Sequence, residues 1–140
     1  MAAKRRGRGD ARPPHAGEPE VLLDVECVAG RLYLVLANDG SATAFDVAVA
    51  FARPLVGVGG EVVISDLRIF QRLPLLRAGK EIRVFLDARG ELARSRTGKR
   101  IEARVTYRDR TGQPLGETFK HDLRVWEDWG EVGGGADGVV

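Results

Sequence analysis

The chain has 140 residues, of which 44% are apolar, 30% charged and 6% aromatic. This length suits one domain, and the apolar fraction is high enough for a packed core, so global disorder is excluded. No apolar run reaches the roughly 20 residues of a membrane-spanning helix. A single cysteine, Cys27, excludes an internal disulfide framework and a zinc site built on several cysteines.

The net charge of +2 is divided unevenly along the chain. Residues 1–19 carry five basic and two acidic side chains, residues 127–140 carry four acidic and none basic, and the part between them has 17 basic and 14 acidic. Residues 1–19 lack apolar periodicity and residues 130–140 are rich in glycine. We therefore predict a disordered basic arm at 1–19, a folded domain at 20–129 and a flexible acidic tail at 130–140. Because no apolar stretch follows the basic start, we expect no signal peptide and a cytoplasmic location.

Within the folded part, apolar residues recur with a period of two, which indicates β-strands. Turns rich in Gly, Asn, Asp and Pro separate these runs, and no amphipathic helix of useful length is present. About seven such strands predict an all-β, antiparallel β-sandwich, with a small closed barrel as the alternative. The predicted strands are Val21–Val28, Arg31–Ala37, Thr43–Ala52, Glu61–Leu73 (one or two strands, broken near Ser65), Glu81–Asp87, Ile101–Asp109 and Gly116–Trp126.

The alternation also predicts which side chains face the core. Cys27 is in register with apolar positions of the first strand, so we interpret it as a small buried residue rather than a nucleophile. His121 shares a face with apolar residues, so we expect it to be partly buried and hydrogen-bonded. Thr43–Ala52 is the strand that we expect to be most prone to pairing at an edge. The predicted inward residues are Phe45, Val47, Val49 and Phe51 on the third strand, and Phe119, His121, Leu123 and Val125 on the last.

Three turn motifs resemble those of bacterial immunoglobulin-like sandwich domains of the cell-adhesion-related CARDB type. They are N-x-G-x-x-x-A-x-x-V at residues 38–47, L-x-x-G-x from Leu76, and Y-x-D-x-x-G from Tyr107. The resemblance covers residues 20–126 and implies an immunoglobulin-like sandwich that serves as a spacer or a binding module, with no catalytic set. We interpret Asn38 and Gly40 as residues that tolerate a positive φ in a tight turn.

Residue spacings for common catalytic or metal-binding motifs are missing from the sequence. His15, Cys27 and His121 are too scattered for a metal site, and the glycines at 57–60 precede a strand rather than the Lys and helix of a phosphate-binding loop. We therefore expect a protein that is not an enzyme, with no catalytic residue, metal or cofactor. A hydrolase that uses Cys27 and His121 is the least favoured hypothesis.

Two groups of residues are candidates for contact with a partner. Trp126 and Trp129 either cap one end of the sandwich or anchor a protein partner, since Trp is frequent in binding hot spots. The loop at 89–100 is basic and, with the arm Lys4–Arg8, could contact phosphates, although neither segment carries aromatic residues for base stacking. The candidate anion or nucleic-acid contacts in the loop are Arg89, Arg94, Arg96, Lys99 and Arg100.

We therefore favour a non-catalytic β-sandwich module that acts through protein–protein contacts, as a homo-oligomer or as an accessory or assembly component. The alternative is an accessory protein that binds nucleic acid or phosphate through the basic arm and the 89–100 loop. Neither hypothesis requires a membrane span.

Overall fold

A computed structural model describes residues 17–88, 90 and 99–126. This part of the chain contains nine β-strands and a few short helical turns. The strands are β1 Val21–Val28, β2 Arg31–Asn38, β3 Ala44–Phe51, β4 Val56–Gly57, β5 Val62–Val63, β6 Leu73–Leu76, β7 Glu81–Ala88, β8 Arg100–Arg108 and β9 Pro114–Asp122. The helical turns include 3₁₀ turns at Ile64–Asp66 and Leu123–Trp126 and one turn of α-helix, α1, at Arg68–Gln71.

Seven of these strands form two antiparallel sheets that enclose one core. The three-stranded sheet has the order β1-β2-β7, and the four-stranded sheet has the order β6-β3-β8-β9. The remaining pair, β4 and β5, is a separate two-residue ladder. Apolar side chains of both sheets belong to one buried cluster. The predicted all-β antiparallel sandwich is therefore confirmed, with β4 and β5 raising the strand count from about seven to nine.

The prediction for Glu61–Leu73 is wrong, because most of this segment is helical rather than extended. β5 is followed by the first 3₁₀ turn, α1 and then β6. Ile64 and Phe70 are buried in the core, and the Phe70 ring meets Phe51 edge to face at a centroid distance of 5.3 Å. The buried residues of this segment, Ile64, Ser65 and Phe70, include two adjacent positions, which departs from the period of two of a half-buried strand.

A bulge in β3 changes which of its residues are buried. The pairing of β3 with β8 shifts by one residue between Phe45 and Ala48, and Asp46 has a φ of 51°. Ala44 and Val47 are buried, whereas Phe45 is exposed. The inward prediction for Phe45 is therefore wrong, because one extra residue in a strand reverses the alternation of side chains.

The last strand ends at Asp122, four residues before its predicted end. Leu123 is buried as predicted, but Val125 is 64% exposed, because a 3₁₀ turn has three residues per turn and breaks the period of two. The prediction for His121 is confirmed: the ring is half-buried, and Nε2 lies 2.8 Å from the Leu23 carbonyl oxygen. Cys27 packs against the core as predicted, although it is half-buried rather than fully buried.

Asn38, at the end of β2, joins the two sheets through a fully used side-chain amide. The residue is 0% exposed. Its Oδ1 accepts hydrogen bonds from the backbone N–H groups of Glu20 and Gly40, at 3.1 and 2.9 Å. Its Nδ2 donates to the carbonyl oxygens of Ala42 and Leu76, at 2.8 and 2.9 Å. Because Leu76 belongs to the four-stranded sheet, this amide links both sheets at one end of the sandwich.

Position 40 requires glycine because a side chain would not fit there, and not because the backbone adopts an unusual angle. Neither Asn38 nor Gly40 has a positive φ, so that interpretation is wrong. A Cβ atom at Gly40 would lie 2.4 Å from the Glu18 carbonyl oxygen and 2.5 Å from the Glu20 nitrogen. Only glycine allows the chain before β1 to approach the turn this closely.

We expect Asn38→Ala to lower the free energy of unfolding by about 3 kcal/mol, because buried backbone groups lose their hydrogen-bond partners. Urea unfolding followed by circular dichroism measures the change. The neighbouring exposed variant Asp39→Ala is the control and should stay within about 0.5 kcal/mol of the parent protein. A loss below about 1 kcal/mol for Asn38→Ala would contradict the role assigned to this amide.

Candidate functional site

Some of the predicted contact residues meet at the end of the sandwich where β8 begins and β9 ends. Arg100 lies opposite Asp122 in the β8–β9 ladder, and the backbone N–H of Leu123 donates to the Lys99 carbonyl oxygen at 2.7 Å. Trp126 ends the 3₁₀ turn that follows Leu123. The structure therefore brings Trp126 to the same end as Lys99 and Arg100. The other candidates lie outside the described residues: Arg89, Arg94, Arg96 and Trp129.

Trp126 contributes to the domain itself. Its side chain is half-buried and packs against the hydrophobic core cluster. The neighbouring Val125 is largely exposed. Part of the Trp126 surface thus stabilises this end of the sandwich, and only the remainder can reach a partner.

The Asp122 carboxylate makes Arg100 a weaker candidate for contact with an anion. Arg124 donates to both Asp122 oxygens, from Nη2 to Oδ2 at 2.7 Å and from Nε to Oδ1 at 2.9 Å, and its backbone N–H adds a bond of 3.0 Å to Oδ1. These hydrogen bonds, mainly those from the Arg124 side chain, lower the pKa of Asp122 from 3.8 to about 2. The Arg100 Nε atom lies 3.9 Å from Asp122 Oδ2. The carboxylate is therefore charged at neutral pH and partly offsets the charge of Arg100.

A second surface, which the sequence did not reveal, is the solvent side of the four-stranded sheet; we call it the outer face. Phe45 and Leu75 are direct neighbours across β3 and β6 on this face, with exposures of 36% and 48%. The next positions of β3 on this face, Ala48 and Ala50, hold small side chains. Two large apolar side chains thus lie beside an area of the sheet that carries only small side chains. Only the bulge places Phe45 here, so alternation alone could not have found this pair.

On β8 and β9, the side chains in the middle of the outer face are also short or lie flat against the sheet. Thr106 pairs with Gly116, and Arg104 pairs with Thr118. The Arg104 guanidinium lies along the sheet: its Nη2 is 2.9 Å from the position of a Cβ on Gly116, and its Nη1 is 3.4 Å from Thr118 Oγ1. The long arginine side chain therefore covers its neighbours instead of projecting from the face.

Apart from Arg104, the charges of the outer face lie towards its two ends. Glu102 and Lys120 pair at the end where β8 begins. Arg108 lies at the opposite end, where it is the direct neighbour of Phe45 on β3 and of Pro114 on β9. β3 lies between β6 and β8, so the prediction that this strand pairs with another chain at a sheet edge is wrong. A partner can contact β3 only through its solvent-facing side chains.

The geometry of His121 and Cys27 does not support a catalytic pair. The His121 Nε2 atom lies within hydrogen-bond distance of the Leu23 carbonyl oxygen. Leu23 is four residues before Cys27 on β1, and four residues span about 13 Å along an extended strand. In the described part of the chain, no group of three or more His, Cys, Asp or Glu side chains is placed to hold a metal ion. No helix among the described residues has the length and apolar character needed to cross a membrane.

The model of one protein family, described as "Domain of unknown function (DUF8453)", matches residues 3–127. The chain belongs to the DUF8453 family. The match includes both sheets, the outer face and Trp126, and it stops before Trp129. No curated protein and no solved structure matches the chain. A function for this DUF8453 member therefore has to be argued from its own surfaces.

We expect Arg124→Gln to raise the pKa of Asp122 from about 2 towards 3.8, because the side-chain hydrogen bonds from Arg124 are the main cause of the low value. A carbon-detected NMR titration of the Asp122 carboxyl measures this change. Since the folded pKa is the lower one, the carboxylate stabilises the fold above pH 3.8, and this contribution is lost as the pH falls towards 2. The matched variant Lys120→Gln should leave the titration unchanged; an unchanged curve in Arg124→Gln would refute the assignment.

Proposed function

We propose that this domain is a non-catalytic, immunoglobulin-like β-sandwich module that acts through protein–protein contacts, as an accessory or assembly component. The observation that carries the proposal is the exposed pair Phe45 and Leu75 on the outer face. Full burial of such a side chain is worth about 1.5–3 kcal/mol, so a partner that covers the pair gains binding energy. Aromatic residues are enriched at protein interfaces.

The strand order supports the immunoglobulin-like part of the proposal. If β4 and β5 are set aside, the first, second and fifth strands form one sheet, and the third, sixth and seventh form the other with the fourth at its edge. An antibody constant domain has the same arrangement except that its fourth strand joins the first sheet. The resemblance of the three turn motifs to CARDB domains agrees with this order. Such domains are mostly spacers or binding modules, which is the role proposed here.

Binding of nucleic acid or phosphate is the weaker alternative. Of its candidate residues, Lys99 and Arg100 are the two within the described part of the chain, and Arg100 has Asp122 beside it. Base stacking usually adds exposed aromatic side chains to a basic surface. On the described surface, the exposed aromatic residues are Phe45 and Phe85, which lie away from Arg100. Trp126 lies at the same end as Arg100, but its side chain is half-buried against the core.

Site-specific photocrosslinking in cells that naturally make this protein tests the proposal. A benzophenone amino acid is placed at Leu75 on the outer face or, as a control, at Val28 on the other sheet, which is similarly exposed at 45%. We expect protein adducts from position 75 and few or none from position 28. Equal labelling from both positions, or no adduct from position 75, would contradict the proposal. Adducts that nuclease treatment removes would favour the nucleic-acid alternative.

A further inference from the structure

We infer that the partner of the outer face is a second copy of this chain, packed face to face with its strands antiparallel. This inference rests on the proposed function and names the partner of the same surface. A two-fold axis that lies between the two sheets, perpendicular to the strands, generates the arrangement. Such an interface is isologous: each contact occurs twice, and the face must be complementary to itself.

The outer face consists of four rows of cross-strand neighbours. Row one contains Leu75, Phe45, Arg108 and Pro114 on β6, β3, β8 and β9. Row two contains Ala48, Thr106 and Gly116, and row three contains Ala50, Arg104 and Thr118. Row four contains Glu102 and Lys120, with Ala52 continuing the β3 ladder through a 2.8 Å hydrogen bond to the Glu102 carbonyl oxygen. An axis between rows two and three places row one of each copy against row four of the other.

The charges of β8 are complementary under this operation. Arg108 of one copy faces Glu102 of the other, and the contact occurs twice. Opposite charges on facing surfaces favour the correct alignment and penalise a shifted one. If the strands ran parallel instead, row one would face itself with its strand order reversed, so Arg108 would face Phe45 rather than an opposite charge.

The sizes of the side chains are also complementary. Phe45 of one copy faces Ala52 of the other, and Ala48 faces Ala50. On β9, Gly116 faces Thr118. On β3, a large side chain therefore meets a small one at the end of the face and small ones meet each other in the middle, which allows two sheets to approach to about 10 Å. On β8, Arg104 of each copy faces Thr106 of the other.

The outer side of the three-stranded sheet is less suited to such packing. Its central residue Val35 is only 3% exposed, although it points away from the core. Arg83, its neighbour on β7, forms ion pairs with Glu26 and Glu81 across this surface. A partner would have to displace or desolvate these charges, which is costly.

The size of the outer face predicts weak, reversible association. Four strands about 4.8 Å apart and seven residues along β8 give a footprint on the order of 500 Å² per copy. Two such surfaces bury about 1,000 Å², which is at the lower limit for a specific interface. The two Arg104 side chains near the axis repel each other and weaken the association further.

Sedimentation velocity of the full chain, from about 5 to about 500 µM, tests the inference. We expect a reversible monomer–dimer equilibrium. Glu102→Arg and Arg108→Glu should each weaken dimerisation at least about tenfold, and the double variant should recover to within about threefold of the parent. The recovery also controls for the 2.9 Å hydrogen bond from Arg108 Nη1 to the Gly112 carbonyl oxygen, which both Arg108 variants lack.

The matched controls are Glu61→Arg and Arg31→Glu, which make the same charge changes at exposed positions away from the outer face. They should dimerise like the parent, and circular dichroism should show that all variants are folded. A parent chain that stays monomeric overturns the inference, as do equal effects in the controls or no recovery in the double variant. Hetero-adducts from position 75 with a monomeric parent chain would overturn the inference and leave the proposed function standing. No adduct from position 75 would overturn both.

Discussion

The side-chain amide of Asn38 is buried, and all four of its hydrogen-bonding positions are used. A buried amide that is fully bonded tolerates little displacement of its partners, because each lost bond leaves a polar group without water. Asn38 thus fixes the chain before β1, the turn after β2 and the end of β6 relative to one another. The bond to Leu76 holds β6 beside β3, and that pairing places Leu75 next to Phe45. The surface proposed to bind a partner therefore depends on an amide buried behind it.

The sequence was informative wherever one principle determined the local structure. β1 and β8 keep a period of two, β2 is apolar on both faces, and β7 departs from the period only near its end, where Leu86 and Asp87 are both buried. The predicted bounds of all four strands differ little from those observed. His121 followed the same rule. The errors occur where the period changes. A bulge at Asp46, which has a positive φ, exposes Phe45, and most of the 61–73 segment forms helical turns from which Phe70 packs into the core. Neither event has a signal in local composition.

The candidate sites, like the strands, were predictable from the sequence only in part. Residue type alone selected Trp126, Lys99 and Arg100, and the structure places them at one end of the sandwich. Residue type could not show that Asp122 sits beside Arg100 or that Trp126 packs on the core. The outer face could not be predicted from the sequence, for a different reason. Its rows combine residues from four strands, so they exist only once the register between those strands is known. Surfaces of this kind require a structure, whereas loops and terminal motifs can be read from the chain.

We propose that this protein associates through the outer face of the four-stranded sheet. A dilution series of amide NMR spectra locates the interface residue by residue without any substitution. We expect concentration-dependent shifts at Ala48, Thr106 and Gly116 and unchanged signals at Asp24 and Val28 on the three-stranded sheet. Spectra that do not change with concentration, or changes confined to the end formed by Lys99, Arg100 and Trp126, would contradict the claim.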